Sequence, residues 1–195
     1  ISKGRHSGKT RFITTRFGNV LGSNGSVIPR FVEQIKAGQP ITITEPAMTR
    51  FIMSLEEAVD LVIFAFEHAA NGDIMVQKAP ACTIEVLAQA IKELFNPDAE
   101  TKIIGIRHGE KMYETLLTKE ECAHAEDMGN FFRVPCDKRD LNYEKYFNIG
   151  TPIENTVYEF NSNNTKRLRV EQVKSKLMSL QYIRDELDYK GKRIR

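Results

Sequence analysis

The sequence predicts an α/β fold. Short β-rich runs alternate with amphipathic stretches of helix length along most of the chain. Two of those stretches carry their own start signals, and a glycine-rich turn, GNVLGSNGS (18–26), separates the first strand from the first helix. The strands are too few and too short for a complete doubly wound sheet.

TRFITTRF (10–17) has no helical period and reads as a buried strand. In VIPRFVEQIKAG (27–38), Pro29 suits a first helical turn, Ile28, Phe31, Val32 and Ile35 share a face, and Gly38 stops the helix. ITIT (41–44) is a brief strand before Pro46. In SLEEAVDLVIFAFEHAANG (54–72), Ser54 and Glu57 form a capping box and Gly72 ends the helix. Its apolar face is assigned to Leu55, Val59, Val62, Ile63 and Phe66. DIMVQ (73–77) is a strand, Thr83 caps the helix IEVLAQAIKELF (84–95), and TKIIGI (101–106) is a strand that delivers Arg107. YETLLTKEECAHAEDM (113–128) reads as a charged helix. Residues 130–165, rich in Asn, Tyr and Asp, carry no regular pattern, and RVEQVKSKLMSLQYIRDEL (169–187) is helical again.

Composition narrows the function classes. The 28 basic and 26 acidic residues nearly balance, which argues against a broad nucleic-acid-binding face and makes any anion site local. The cysteines Cys82, Cys122 and Cys136 are widely spaced, with no CxxC or Cys/His cluster, so reduced thiols are expected and no metal site. The longest apolar run, LVIFAF (61–66), falls far short of the roughly 18 residues of a membrane span. A cytoplasmic protein that binds neither membrane nor nucleic acid is expected. The opening ISKGRHSGKTRF has no methionine and no apolar signal-peptide core, and the chain is expected to be a piece of something longer.

Three stretches offer chemistry. The turn at 18–26 follows a strand, where ligands of open α/β sheets sit, and precedes a helix whose first N–H groups point back toward it. Asn19 adds a compact donor and acceptor there. An ordinary connecting loop would have the same composition. In PAMTRFIMS (46–54), Arg50 stands beside Phe51, Ile52 and Met53, so it is either paired internally or available to an anion. In IRHGEKMYE (106–114), Arg107 ends an apolar run and Glu110 follows three residues later. Guanidinium forks suit phosphate oxygens, and a carboxylate suits ribose hydroxyls. His108 reads as a positioning or surface histidine. No GxGxxG or P-loop is present.

Taken together, RFGNVLGSNGSVIPRF (16–31), ITITEPAMTRFIMSLEEAVDLV (41–62), GDIMVQKAP (72–80), IGIRHGEKMYETLLT (104–118), RDLNYEKYF (139–147) and NTKRL (164–168) resemble the bacterial UDP-N-acetylglucosamine 4,6-dehydratase/5-epimerases of surface-polysaccharide biosynthesis, which are extended short-chain dehydrogenase/reductases. The resemblance implies the last parallel strands of a Rossmann fold, over residues 1–25, and a small α+β sugar-nucleotide domain over 26–195 with a C-terminal arm from about 130. It implies a UDP-sugar substrate held by Asn19, Ser26, Val27, Ile28, Arg50, Arg107 and Glu110, with the arginines on the diphosphate and Glu110 on the ribose. It also implies NADP, or NAD, as cofactor, touched here by Phe17, Asn19 and Val20 and held mostly by residues outside this chain. The implied reaction is redox at C4 of the hexose, loss of water from C6 and inversion at C5, with no catalytic residue in this chain. A homo-oligomer, a hexamer in the family, is expected, with 139–165 as an arm or a surface loop. Asn163 departs from the histidine of the family pattern. A UDP-glucose/UDP-galactose 4-epimerase and a non-catalytic sugar-nucleotide-binding or oligomerisation module are the alternatives.

Overall fold

The computed structural model describes residues 10–23, 25–136 and 158–193, so RDLNYEKYF and most of the expected arm lie outside the described residues. The elements are β1 (Thr14–Arg16), α1 (Val27–Lys36), β2 (Ile41–Ile43), β3 (Thr49–Phe51), α2 (Leu55–His68), β4 (Ile74–Gln77), β5 (Ala81–Thr83), α3 (Ile84–Phe95), β6 (Thr101–Ile103), β7 (Thr115–Leu117), α4 (Lys119–His124), β8 (Glu126–Asp127), β9 (Phe131–Val134), β10 (Phe160–Asn161), α5 (Val170–Ser179) and α6 (Gln181–Arg193). This is the mixed α/β class read from the sequence, with parallel strand pairs. The chain divides into two compact units, each assembled from three stretches.

The first unit comprises Ile1–Arg16, Asp60–Lys78 and Leu116–Phe160. Its sheet runs β1–β4–β9–β8, with β1 parallel to β4 and β9 antiparallel to both neighbours. Met75 is buried with Leu61, Ala65 and Ala69, and Phe131 stacks on Phe64 at 4.2 Å beside them. Asp73 is almost fully buried, and its carboxylate accepts from Ala70 N, Cys136 N and Arg133 Nε. A carboxylate withdrawn from water needs that full set of donors. Arg16 forms a two-pronged pair with Glu121 at 2.8 and 3.0 Å.

The second unit comprises Phe17–Val59, Ala79–Thr115 and Asn161–Arg195. β2 lies parallel to β6, and β3 antiparallel to β5. Its core joins Ile28, Phe31 and Val32 of α1 to Leu87 and Ile91 of α3 and Val173 and Leu177 of α5. Thr83 caps α3 as expected, accepting from Val86 N at 3.2 Å. Cys82 lies in this core, and burial pushes its thiol up to about 12.

Four readings need correction. The capping box of α2 forms as expected, with Ser54 and Glu57 exchanging hydrogen bonds at 2.7 and 3.2 Å, but the expected inward face points outward. Leu55, Val59, Ile63 and Phe66 are exposed, Phe66 by 67%, while Ala58, Leu61 and Ala65 are buried. α2 is apolar around much of its circumference, so periodicity did not single out one face. Residues 113–128 are β7, α4 and β8, because the Thr118–Glu121 capping box starts α4 only at Lys119. Residues 131–134, read as irregular, are β9. The final helix breaks at Leu180, which is extended (φ −75°, ψ 125°), and Arg184 donates to the carbonyls of Met178 and Ser179 at the end of α5.

The orientation of α2 is testable by urea unfolding. Leu61→Ala should cost about 2–5 kcal/mol, as for a fully buried leucine, whereas Phe66→Ala should cost under about 1 kcal/mol.

Candidate functional site

Within the second unit, β2 and β6 run in the same direction, so the segments after their carboxyl ends emerge together. Ile104 N still donates to Ile43 O at 2.8 Å, and the chain then turns away through Gly105 (φ 82°). Arg107 to Glu110 form a four-residue turn closed by Glu110 N donating to Arg107 O at 3.1 Å. Gly109, third in that turn, has φ 80°, a conformation that disfavours any side chain. The Glu110 carboxylate accepts from Arg107 N at 3.2 Å and from the Thr44 hydroxyl at 3.3 Å, tying the turn to the end of β2. The Arg107 side chain is exposed and has no hydrogen bond or ion pair among the described residues.

The amino end of α1 forms a second wall. Ser26 is its N-cap, yet the Ser26 hydroxyl makes no capping bond and is buried without a partner among the described residues. The unpaired N–H groups of the first turn and the positive end of the helix dipole make this end attractive to an anion. Before it, Asn19 O accepts from Met53 N, and Leu21 N donates to Met53 O, so the Asn19 backbone is fixed while its side-chain amide makes no hydrogen bond among the described residues. Gly18 is required here, since a Cβ would meet that of Phe51 at 2.5 Å.

Arg50, on β3, is mostly engaged internally. Its guanidinium donates to the carbonyls of Thr49 at 2.7 Å and Lys111 at 2.9 Å and to the Met48 sulfur, and Glu114 lies 3.7 Å from its Nε. Ser162 supports this wall: its buried hydroxyl donates to Thr49 O, hydrogen-bonds the Thr49 hydroxyl at 2.8 Å and accepts from Glu114 N at 2.9 Å.

These groups line one cavity of about 400 Å³. It brings together Asn19, the Ser26–Val27–Ile28 segment, Arg50, Arg107 and Glu110, with Val20 beside them. Phe17 is 40% exposed and stands outside the lining, as does His108. Among the lining residues that the sequence did not mark as a site are Arg30, Thr42 and Thr44. The threonines had a signal, since ITIT places both on one side of a strand. The cavity has the size of a ligand pocket, apolar walls from Ile28, Ile52 and Ile84, and a few convergent polar groups. Such a set can hold an anion at the guanidinium groups and accept hydrogen bonds from hydroxyls at Glu110. Among the described residues no cluster of His, Cys, Asp and Glu has the makings of a metal site, and no helix is long and apolar enough to cross a membrane.

Comparison with known proteins places the chain in a family. Residues 1–136 match the family described as polysaccharide biosynthesis protein, and residues 137–184 match the C-terminal region described for such proteins. The chain therefore belongs to the polysaccharide biosynthesis protein family. It is 54% identical over 183 residues to a Rickettsia rickettsii (strain Sheila Smith) protein named UDP-glucose 4-epimerase, covering 94% of this chain and 54% of that one. A protein of the same name from Rickettsia bellii (strain OSU 85-389) is 55% identical over 179 residues, covering 92% of this chain and 52% of the relative. Among solved structures, Pen from Bacillus thuringiensis is similar at 31% identity with a TM-score of 0.73, over 92% of this chain and 52% of that one. The chain thus spans about half the length of these relatives.

The Ser162 network predicts a measurable cost. Ser162→Ala leaves the Thr49 hydroxyl and the Glu114 amide without their buried partner and should lower stability by about 1–3 kcal/mol in urea unfolding.

Proposed function

We propose that this chain supplies the substrate-binding portion of a UDP-N-acetylglucosamine 4,6-dehydratase that inverts C5, acting in polysaccharide biosynthesis. The observation that carries this reading is a cavity in which Arg107, whose guanidinium has no hydrogen bond or ion pair among the described residues, stands in one turn with a carboxylate, Glu110. A nucleoside diphosphate presents phosphate oxygens next to ribose hydroxyls, which is the matching order of groups. Arg107 takes the diphosphate together with the Ser26 end of α1. Arg50, held by Thr49 and Lys111, contributes a fixed positive charge with its remaining N–H groups. Glu110 orients the ribose, and Val27 and Ile28 close over the nucleotide. Holding the sugar in one register is the chain's contribution to catalysis, since orientation lowers the barrier without chemical participation.

A nicotinamide cofactor, NADP or NAD, supplies hydride transfer when bound. Asn19 fits a contact with it, because its backbone is pinned to Met53 while its amide stays available, and the exposed ring of Phe17 and the side chain of Val20 flank it. None of these three residues is cationic, so they suit the nicotinamide end. With no GxGxxG in the sequence, the phosphate cradle belongs to the part of the relatives' length that this chain does not span. On this reading the enzyme is a cytoplasmic homo-oligomer, and this chain alone is inactive.

A second reading, UDP-glucose 4-epimerase, is favoured by the name of the Rickettsia relatives. Product analysis separates the two. Incubated with UDP-N-acetylglucosamine, the full-length dehydratase yields a 4-keto-6-deoxy sugar, whereas an epimerase yields the C4 epimer and no ketone.

Binding itself is tested by titrating the protein with UDP. Arg107→Ala should weaken binding by about 10- to 100-fold, the cost of losing a charged hydrogen bond, and unchanged affinity would remove Arg107 from the diphosphate.

A further inference from the structure

Arg30, on the first turns of α1, lines the same cavity and had no role in the sequence reading. Its guanidinium donates to the Thr42 hydroxyl at 3.3 Å. Gln34, one turn later, holds Thr42 more firmly: its amide donates to the hydroxyl at 2.8 Å and accepts from Thr42 N at 3.1 Å. Thr42 therefore stays anchored if Arg30 leaves, and the long bond from an exposed arginine is easily exchanged for a ligand. Thr42 and Thr44 project from one side of β2, about 7 Å apart by the rise of a strand. Thr44 holds Glu110. Arg30 and Glu110 are thus tied to the two threonines of one strand edge, Arg30 at Thr42 and Glu110 at Thr44.

We propose that Arg30 reads the base of the bound nucleotide and selects a pyrimidine with a keto oxygen at C4 over one with an amino group there. The inference rests on reading the cavity as a nucleoside diphosphate site. If Arg107 meets phosphate and Glu110 meets ribose, the next group along the ligand is the base, and it meets Arg30. A guanidinium only donates hydrogen bonds, so it matches the C4 oxygen of uracil and opposes the C4 amine of cytosine.

Calorimetric titration with UDP and CDP tests this, because the two ligands share phosphates and ribose and differ only in the base. The unmodified protein should prefer UDP by at least about tenfold. Arg30→Ala should reduce that preference to within about threefold, chiefly by weakening UDP. Arg107→Ala should weaken both ligands alike and keep the preference. An unmodified protein without preference, or an Arg30→Ala protein that keeps it while Arg107→Ala weakens both ligands, would overturn the role of Arg30 and leave the nucleotide site standing. Failure of the unmodified protein to bind either nucleotide would overturn the site and the role of Arg30 together.

Discussion

The position of one carboxylate governs the geometry of the cavity. Glu110 is half-buried and accepts from a backbone amide in its own turn and from a hydroxyl at the end of β2. Those two bonds convert the exposed segment after β6 into a defined turn and aim its arginine. A carboxylate has about four acceptor positions, so these bonds leave capacity for a ligand's hydroxyls. The parallel pairing of β2 with β6 is the condition for this arrangement, since strands running in opposite directions would release Thr44 and Arg107 at opposite ends.

The two arginines recognised together in the sequence occupy different physical states. Arg50 is only 17% exposed at its side chain and gives its protons to two main-chain carbonyls and a thioether, with Glu114 too far for a close pair. Its charge is structural and stationary. A loose pair of this kind contributes little by itself, and the carbonyl bonds fix the side chain. Arg107 carries its charge into solvent and has no hydrogen bond or ion pair among the described residues. The β3 side has buried support from Ser162, whereas the Arg107 side chain after β6 is exposed.

Local signals were legible in the sequence wherever a few adjacent residues decide the outcome. The Ser54–Glu57 box, the Thr83 cap and the stop at Gly38 depend on bonds within one turn, and all form. Among the candidate site residues, Asn19, Arg107 and Glu110 were legible because they stand in turns between elements, and Arg50, inside β3, because a charged residue beside an apolar run needs a reason. What could not be read depends on distant partners. The orientation of α2 is set by what its alanines meet, and its outward leucine, valine, isoleucine and phenylalanine looked equally suited to a core. β9 exists because β4 offers it a partner, and its four residues have no pattern of their own. Arg30 and Thr42 join the cavity through a contact between α1 and β2 that spacing does not announce.

The proposal that a nucleoside diphosphate sits between the Ser26 end of α1 and the Arg107–Glu110 turn rests on the cavity of the second unit. Hydrogen–deuterium exchange with and without UDP examines it most directly, because it reports where the ligand lands as well as whether it binds. Saturating UDP should slow exchange at the amides of residues 26–28, 30 and 107–110 and leave β4 and β9 unchanged. Slowing confined to other segments, with both of these unaffected, would contradict the account.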